Sequence, residues 1–123
     1  MLQAGLFPDF KGKDTLLIWG DADGVAGLCG AISALSRGEA SEIRIDGHPN
    51  LSISPSEADE RPSELSRSDR GLTWTCPRTD LIAVEALTVS LDEVPSGHHF
   101  IDIIGLAGQV IISKNEYPES LRP

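Results

Sequence analysis

Three small groups of side chains in this chain have types that could do chemistry. They are the carboxylates Asp21 and Asp23, the adjacent His98 and His99, and the cysteines Cys29 and Cys76. Asp21 and Asp23 stand two positions apart in Gly20-Asp21-Ala22-Asp23-Gly24, between an apolar run and a helical pattern. Two hard oxygen ligands at such a turn can hold magnesium or manganese, and the metal can neutralise a phosphate. A simpler role fits the same place. An Asp just ahead of a helix accepts a hydrogen bond from an otherwise unpaired N–H, and its charge complements the helix dipole. The segment does not fit a calcium loop, because Val25 and Ile32 fall where ligands are needed. It does not fit a dinucleotide fingerprint either, because two Asp residues in the turn would repel a pyrophosphate.

His98 and His99 are neighbours, so on a strand they face opposite sides and cannot readily share a metal. His48, before Pro49, is expected in a turn. The two cysteines form no Cys-x-x-Cys pair and no zinc-like cluster with His, so two buried thiols are expected, with a disulfide between them left open. No Gly-x-Ser-x-Gly and no Ser-His-Asp or Cys-His arrangement is present, so no catalytic residue and no cofactor are assigned.

The elements that must position these groups follow from the hydrophobic pattern. Thr15-Leu16-Leu17-Ile18-Trp19 reads as a strand. Val25, Leu28, Cys29, Ile32 and Leu35 recur at helical spacing, which predicts one main helix over about 23–37, closed by Gly38. Gly27 and Gly30 within it are expected to allow close packing on a sheet. Ile43 and Ile45, then Leu51 and Ile53 across Gly47-His48-Pro49-Asn50, predict a hairpin. Residues 54–70, rich in Ser, Pro and charge of both signs, read as a flexible loop. Leu72, Trp74 and Cys76 alternate with Thr73 and Thr75 and predict a strand. After a turn at 77–80, residues 81–91 read as a further strand whose phase slips near Glu85, as at a β-bulge. Strands are also expected over 98–104 and 109–113, with an irregular lead-in or weak edge strand at 1–13 and a loosely packed tail from Lys114. No internal repeat is evident. The expected fold is a single α+β domain over residues 1–123, one main helix on an antiparallel or mixed sheet of about six strands.

The 123 residues suffice for one core without metal or disulfide staples, and 40% hydrophobic with 24% charged residues is ordinary for a globular chain. Nineteen acidic against ten basic residues give a net charge of -9. A field of that sign repels nucleic acid and anionic membranes and steers cationic partners inward. It also serves solubility alone. Met1 to Asp14 has no secretory pattern, and no apolar stretch nears the roughly 20 residues that span a bilayer. A cytoplasmic location is expected.

Leu16-Leu17-Ile18-Trp19-Gly20-Asp21-Ala22-Asp23-Gly24-Val25 resembles the first motif of haloacid-dehalogenase-type phosphatases and that of DHH-type phosphoesterases. The resemblance implies a metal-dependent phosphoesterase using Asp21 and Asp23. Trp19 stands where the DHH pattern has a His, and Gly97 stands where the Asp would precede His98-His99. A broader resemblance is to small bacterial immunity proteins of polymorphic toxin systems. It is carried by the strand–Gly-Asp–helix opening with Gly27-Leu28 and Ala34-Leu35, by Asp46, and by His99-Phe100-Ile101-Asp102-Ile103, Gln109-Val110-Ile111-Ile112-Ser113-Lys114 and Glu116-Tyr117-Pro118. It implies a non-enzymatic binder that neutralises a protein partner such as a toxin with a basic cleft. Aromatic anchors ringed by polar groups dominate such interfaces. The expected partner-binding residues are Tyr117, Glu116, Trp74, Glu57, Asp59 and Glu60, with a core role weighed against the interface role for Trp74.

Overall fold

The computed structural model describes residues 1–57 and 61–123. Among these there are two helices and nine strands: β1 (Leu2–Phe10), β2 (Lys13–Gly20), α1 (Ala22–Ser36), β3 (Ile43–Ile45), β4 (Leu51–Ser56), β5 (Glu64–Ser68), β6 (Gly71–Pro77), α2 (Arg78–Asp92), β7 (Gly97–Asp102), β8 (Ile104–Gly105) and β9 (Gln109–Lys114). The strands form two mixed sheets, ordered β1-β2-β9-β7 and β3-β4-β6-β5-β8. The α+β class therefore stands, whereas one helix on one six-stranded sheet is corrected to two helices and two sheets.

The two sheets bury their strands differently, and the residues explain why. In the first, β2 runs parallel to β9, with Leu16 beside Val110 and Ile18 beside Ile112. Thr15 to Gly20 and all of β9 are buried on both faces. Such strands read as continuous apolar runs. Their inner side chains join the main core, while Leu17, Trp19 and Ile111 form a second cluster with Phe7, closed by Phe10, Tyr117 and Leu121. The indole of Trp19 donates to the Pro118 carbonyl at 2.9 Å, tying the tail over this face. In the second sheet, Leu51, Ile53, Leu72, Trp74 and Cys76 point into the main core, and Ser52, Ser54, Thr73 and Thr75 point outward. That is the clean alternation of a sheet wetted on one side.

The chain folds as two copies of one plan. Each half contributes a hairpin, a helix and a second hairpin: β1-β2-α1-β3-β4, then β5-β6-α2-β7-β9. The halves exchange partners. The hairpin β1-β2 joins β9-β7 through the parallel β2–β9 pair, and β5-β6 joins β4-β3 through the parallel β4–β6 pair. The buried stripe Val25, Leu28, Ile32, Leu35 of α1 recurs in α2 as Leu81, Val84, Thr88, Leu91, at one constant offset along the chain. The same offset relates Leu16 and Ile18 to Leu72 and Trp74, and Ile43 and Ile45 to His99 and Ile101. The repeat lies in burial and pairing, not in residue identity.

Two local expectations are overturned, and a third is decided between its two forms. Residues 81–91 are helical. The phase slip near Glu85 is the helical period itself, in which Leu81, Val84, Thr88 and Leu91 share a face. Within the expected loop at 54–70, β4 extends to Ser56, and β5 pairs antiparallel with β6, Leu65 opposite Trp74. Of the two forms expected for residues 1–13, the edge strand is the one present, nine residues long.

Candidate functional site

Asp21 is the N-cap of α1. Its Oδ1 accepts from the Gly24 amide at 2.8 Å and from the Met1 ammonium at 3.0 Å. The Gly24 hydrogen bond, followed by the ammonium, holds its carboxyl below the usual range. Asp23 occupies the exposed first turn. Among the described residues, no group of three His, Cys, Asp or Glu side chains is placed to share a metal. The local geometry is that of a helix cap.

His98 and His99 do face opposite sides of β7. His99 pairs across from Ile112 of the main core, and His98 faces outward with Phe100, their rings 5.1 Å apart. The His98 Nδ1 lies 2.9 Å from Glu116 Oε1, and the Ser113 hydroxyl donates to the same oxygen. Serine, carboxylate and imidazole thus meet, but the carboxylate stands between the other two. The Ser113 proton is committed to Glu116, and Ser113 is buried, so this is not an activated nucleophile. Burial pushes Glu116 up, and the hydrogen bonds from Ser113 and His98 outweigh it, leaving the carboxyl below its ordinary value. The arrangement anchors the tail to β7.

The expected partner-binding residues separate. Trp74 is only 1% exposed and donates its indole N–H to Ser63 Oγ at 3.1 Å, so its side chain is core and offers nothing to a partner. Tyr117 is half-buried against Phe10, with ring centroids 5.8 Å apart. Glu116 braces His98. Glu57 is exposed and lies 3.6 Å from Arg78 at the start of α2. Asp59 and Glu60 lie outside the described residues. Both cysteines are free; Cys76 is buried, which pushes its thiol up to about 11, and Cys29 is half-buried. Gly27 and Gly30 face open space rather than a sheet.

The surface that sequence reasoning missed lies in the second half. Among the described residues, the exposed large apolar side chains are Ile82, Val89, Val94, Phe100, Ile104 and Leu106, all within one continuous segment from α2 to just past β8. A groove of about 190 Å³ runs between α2 and β7, with Ala83, Val84, Leu87, Phe100 and Ile101 along it and the carboxylates Asp80 and Asp102 beside them. Reading 81–91 as a strand hid this surface; a helical wheel leaves Ile82 and Val89 off the buried stripe.

A related groove of about 360 Å³ sits between α1 and β3. Gly24, Gly27, Leu28, Ala31, Arg44 and Ile45 line it, and each precedes its counterpart Asp80, Ala83, Val84, Leu87, Phe100 or Ile101 by the constant offset. Here Met1 and Leu2 also line the groove, and a Cβ on Gly24 would overlap the Met1 carbonyl.

No helix among the described residues is long and apolar enough to cross a membrane. Comparison with protein-family models, curated proteins and solved structures found no match.

Proposed function

We propose that this chain is a non-enzymatic binding protein, immunity-like in its task, that captures and neutralises a basic protein partner such as a toxin with a basic cleft. One observation carries the reading: the exposed large apolar side chains are gathered on the α2–β8 segment of a chain of charge -9, with carboxylates beside them. Exposed apolar side chains beside a groove offer surface that a partner can bury, and a negative field speeds capture of a positive partner. Two unpaired thiols suit the reducing cytoplasm, where such an inhibitor acts.

The test is affinity capture with the immobilised full chain, beside a control protein of equal charge. One cationic protein should be enriched on this chain alone, and its association should slow as salt rises. Equal recovery on the control would leave only nonspecific charge and sink the reading.

A further inference from the structure

Each sheet has two edges, and three of the four are guarded. β1 carries Pro8 and an irregular register between Phe7 and Phe10. β3 has three residues and β8 two. Proline, bulges and shortness are the devices that keep an edge from pairing with another chain. β7 has none of them. It is six residues long, without proline, and pairs only with β9 among the described residues. It also carries the half-exposed Phe100 and borders the α2 groove.

We infer that the free edge of β7 accepts an extended segment of a basic partner as an added strand, an apolar side chain on one face lying along Ala83 and Leu87 with Lys or Arg meeting Asp80, and the alternate face meeting Phe100 and Asp102 on the outer side of β7. The inference rests on the binding reading and specifies how the partner is held. Strand addition satisfies the outward amides and carbonyls of an edge, while flanking pockets select side chains. Charge selects the occupant. No Lys or Arg lines the groove, and α2 adds Glu85 and Asp92, followed by Glu93, with Arg78 at its first position as its only cation. Lys13 reaches Asp102 at 3.3 Å, but both side chains are exposed, and such a pair yields readily to a competitor. Lys11 lies over Phe100, 5.9 Å from the ring centre, on the outer side of the strand. A second copy of this chain would bring its own excess of acid to the same edge and is disfavoured.

The test is titration of the isotopically labelled full chain with a short synthetic peptide alternating lysine and valine. Saturable shifts should fall on residues 97–102 and 80–87, and the outward β7 amides should exchange more slowly. Phe100→Ala, and separately Asp80→Asn with Asp102→Asn, should each weaken binding about tenfold or more, as loss of a hot-spot contact does. Ser66→Ala, on the wetted face of the other sheet, should change nothing. Thermal melts confirm that the variants stay folded. Absence of binding, shifts centred on β1 or β3, or indifference to Phe100→Ala overturns the inference. So does self-association without peptide that protects β7, which would make a second copy the occupant. Failure of the capture experiment sinks the binding reading itself; capture of a partner that leaves β7 untouched sinks strand addition alone.

Discussion

The two helix–strand grooves occupy equivalent places in the two halves, yet Met1 and Leu2 line the first, of about 360 Å³, while the second, of about 190 Å³, is lined by its own helix and strand alone. In the first half, Gly24 admits the Met1 backbone, and Asp21 receives both the Met1 ammonium and the Gly24 amide. The short β3 and Arg44 border the rest of that groove. In the second half Asp80 replaces Gly24, Phe100 replaces Arg44, and the adjoining strand is six residues long. One plan thus recurs with different residues at the groove between helix and strand. The second helix bears the same mark. Its N-cap position is Pro77, which offers no side-chain hydrogen bond, whereas α1 has Asp21.

The comparison can be broken most severely at the core. Trp74 holds the place that Ile18 holds in the other half, and it fills more of the shared interior. Trp74→Ala is expected to cost about 3–5 kcal/mol, read by chemical denaturation. A near-neutral result would mean that the indole is not the anchor of the second sheet. Next comes Gly24→Ala, which sets a methyl against the Met1 carbonyl and should cost about 1–3 kcal/mol of overpacking. A neutral melt would show that Met1 does not seat there.

Asp21→Ala removes the cap and should lower the melting temperature, by less than Gly24→Ala does. Because the folded Asp21 and Glu116 carboxyls lie below their ordinary values of 3.8 and 4.5, the stability they add is present above those values. It is lost as pH falls through the lowered ones. Asp21→Asn should therefore flatten part of the acid limb of a stability–pH curve, and an unchanged limb would refute the capping role. Gly27→Ala should raise stability by about 0.5–1 kcal/mol, since a Cβ there meets open space on a helix. Destabilisation instead would reveal a hidden contact in the first groove. The smallest effect is expected from manganese or magnesium. With Asp21 occupied as a cap, the melting temperature should match that in chelator. A bound metal at a hundred times its dissociation constant would add about 2.7 kcal/mol, and its disappearance in Asp21→Asn with Asp23→Asn would revive the phosphoesterase alternative.

Much of the first half was legible because its signals are local. Val25 to Leu35 shows one clear period, and Asp21 and Gly38 bracket it. The hairpin Ile43–Ile53 and the strands β6, β7 and β9 were readable from alternation or apolar runs. The second helix was not. Its exposed Ile82 and Val89 and its buried Thr88 blur the stripe, and the Thr88 hydroxyl is satisfied by the Glu85 carbonyl of its own helix. Strand β5 was missed because it shows only one buried residue, Leu65, among polar neighbours. The candidate site went unseen with them, for it is made of the outer side of that helix and the edge of a strand. Trp74 and Tyr117 drew attention as large aromatics, but aromatics fill cores as readily as interfaces.

By itself, the sequence determined the α+β class, the capped first helix, the inward and outward faces of β3, β4 and β6 and the acidic field, because each depends on spacing or charge along the chain. Tertiary structure decided which strands pair across the halves, that the tail and Met1 cover the first half, and that β7 is left as an open edge. Those outcomes depend on contacts between residues far apart in the chain, where partner choice is set by the fit of whole faces and leaves little trace in any one segment.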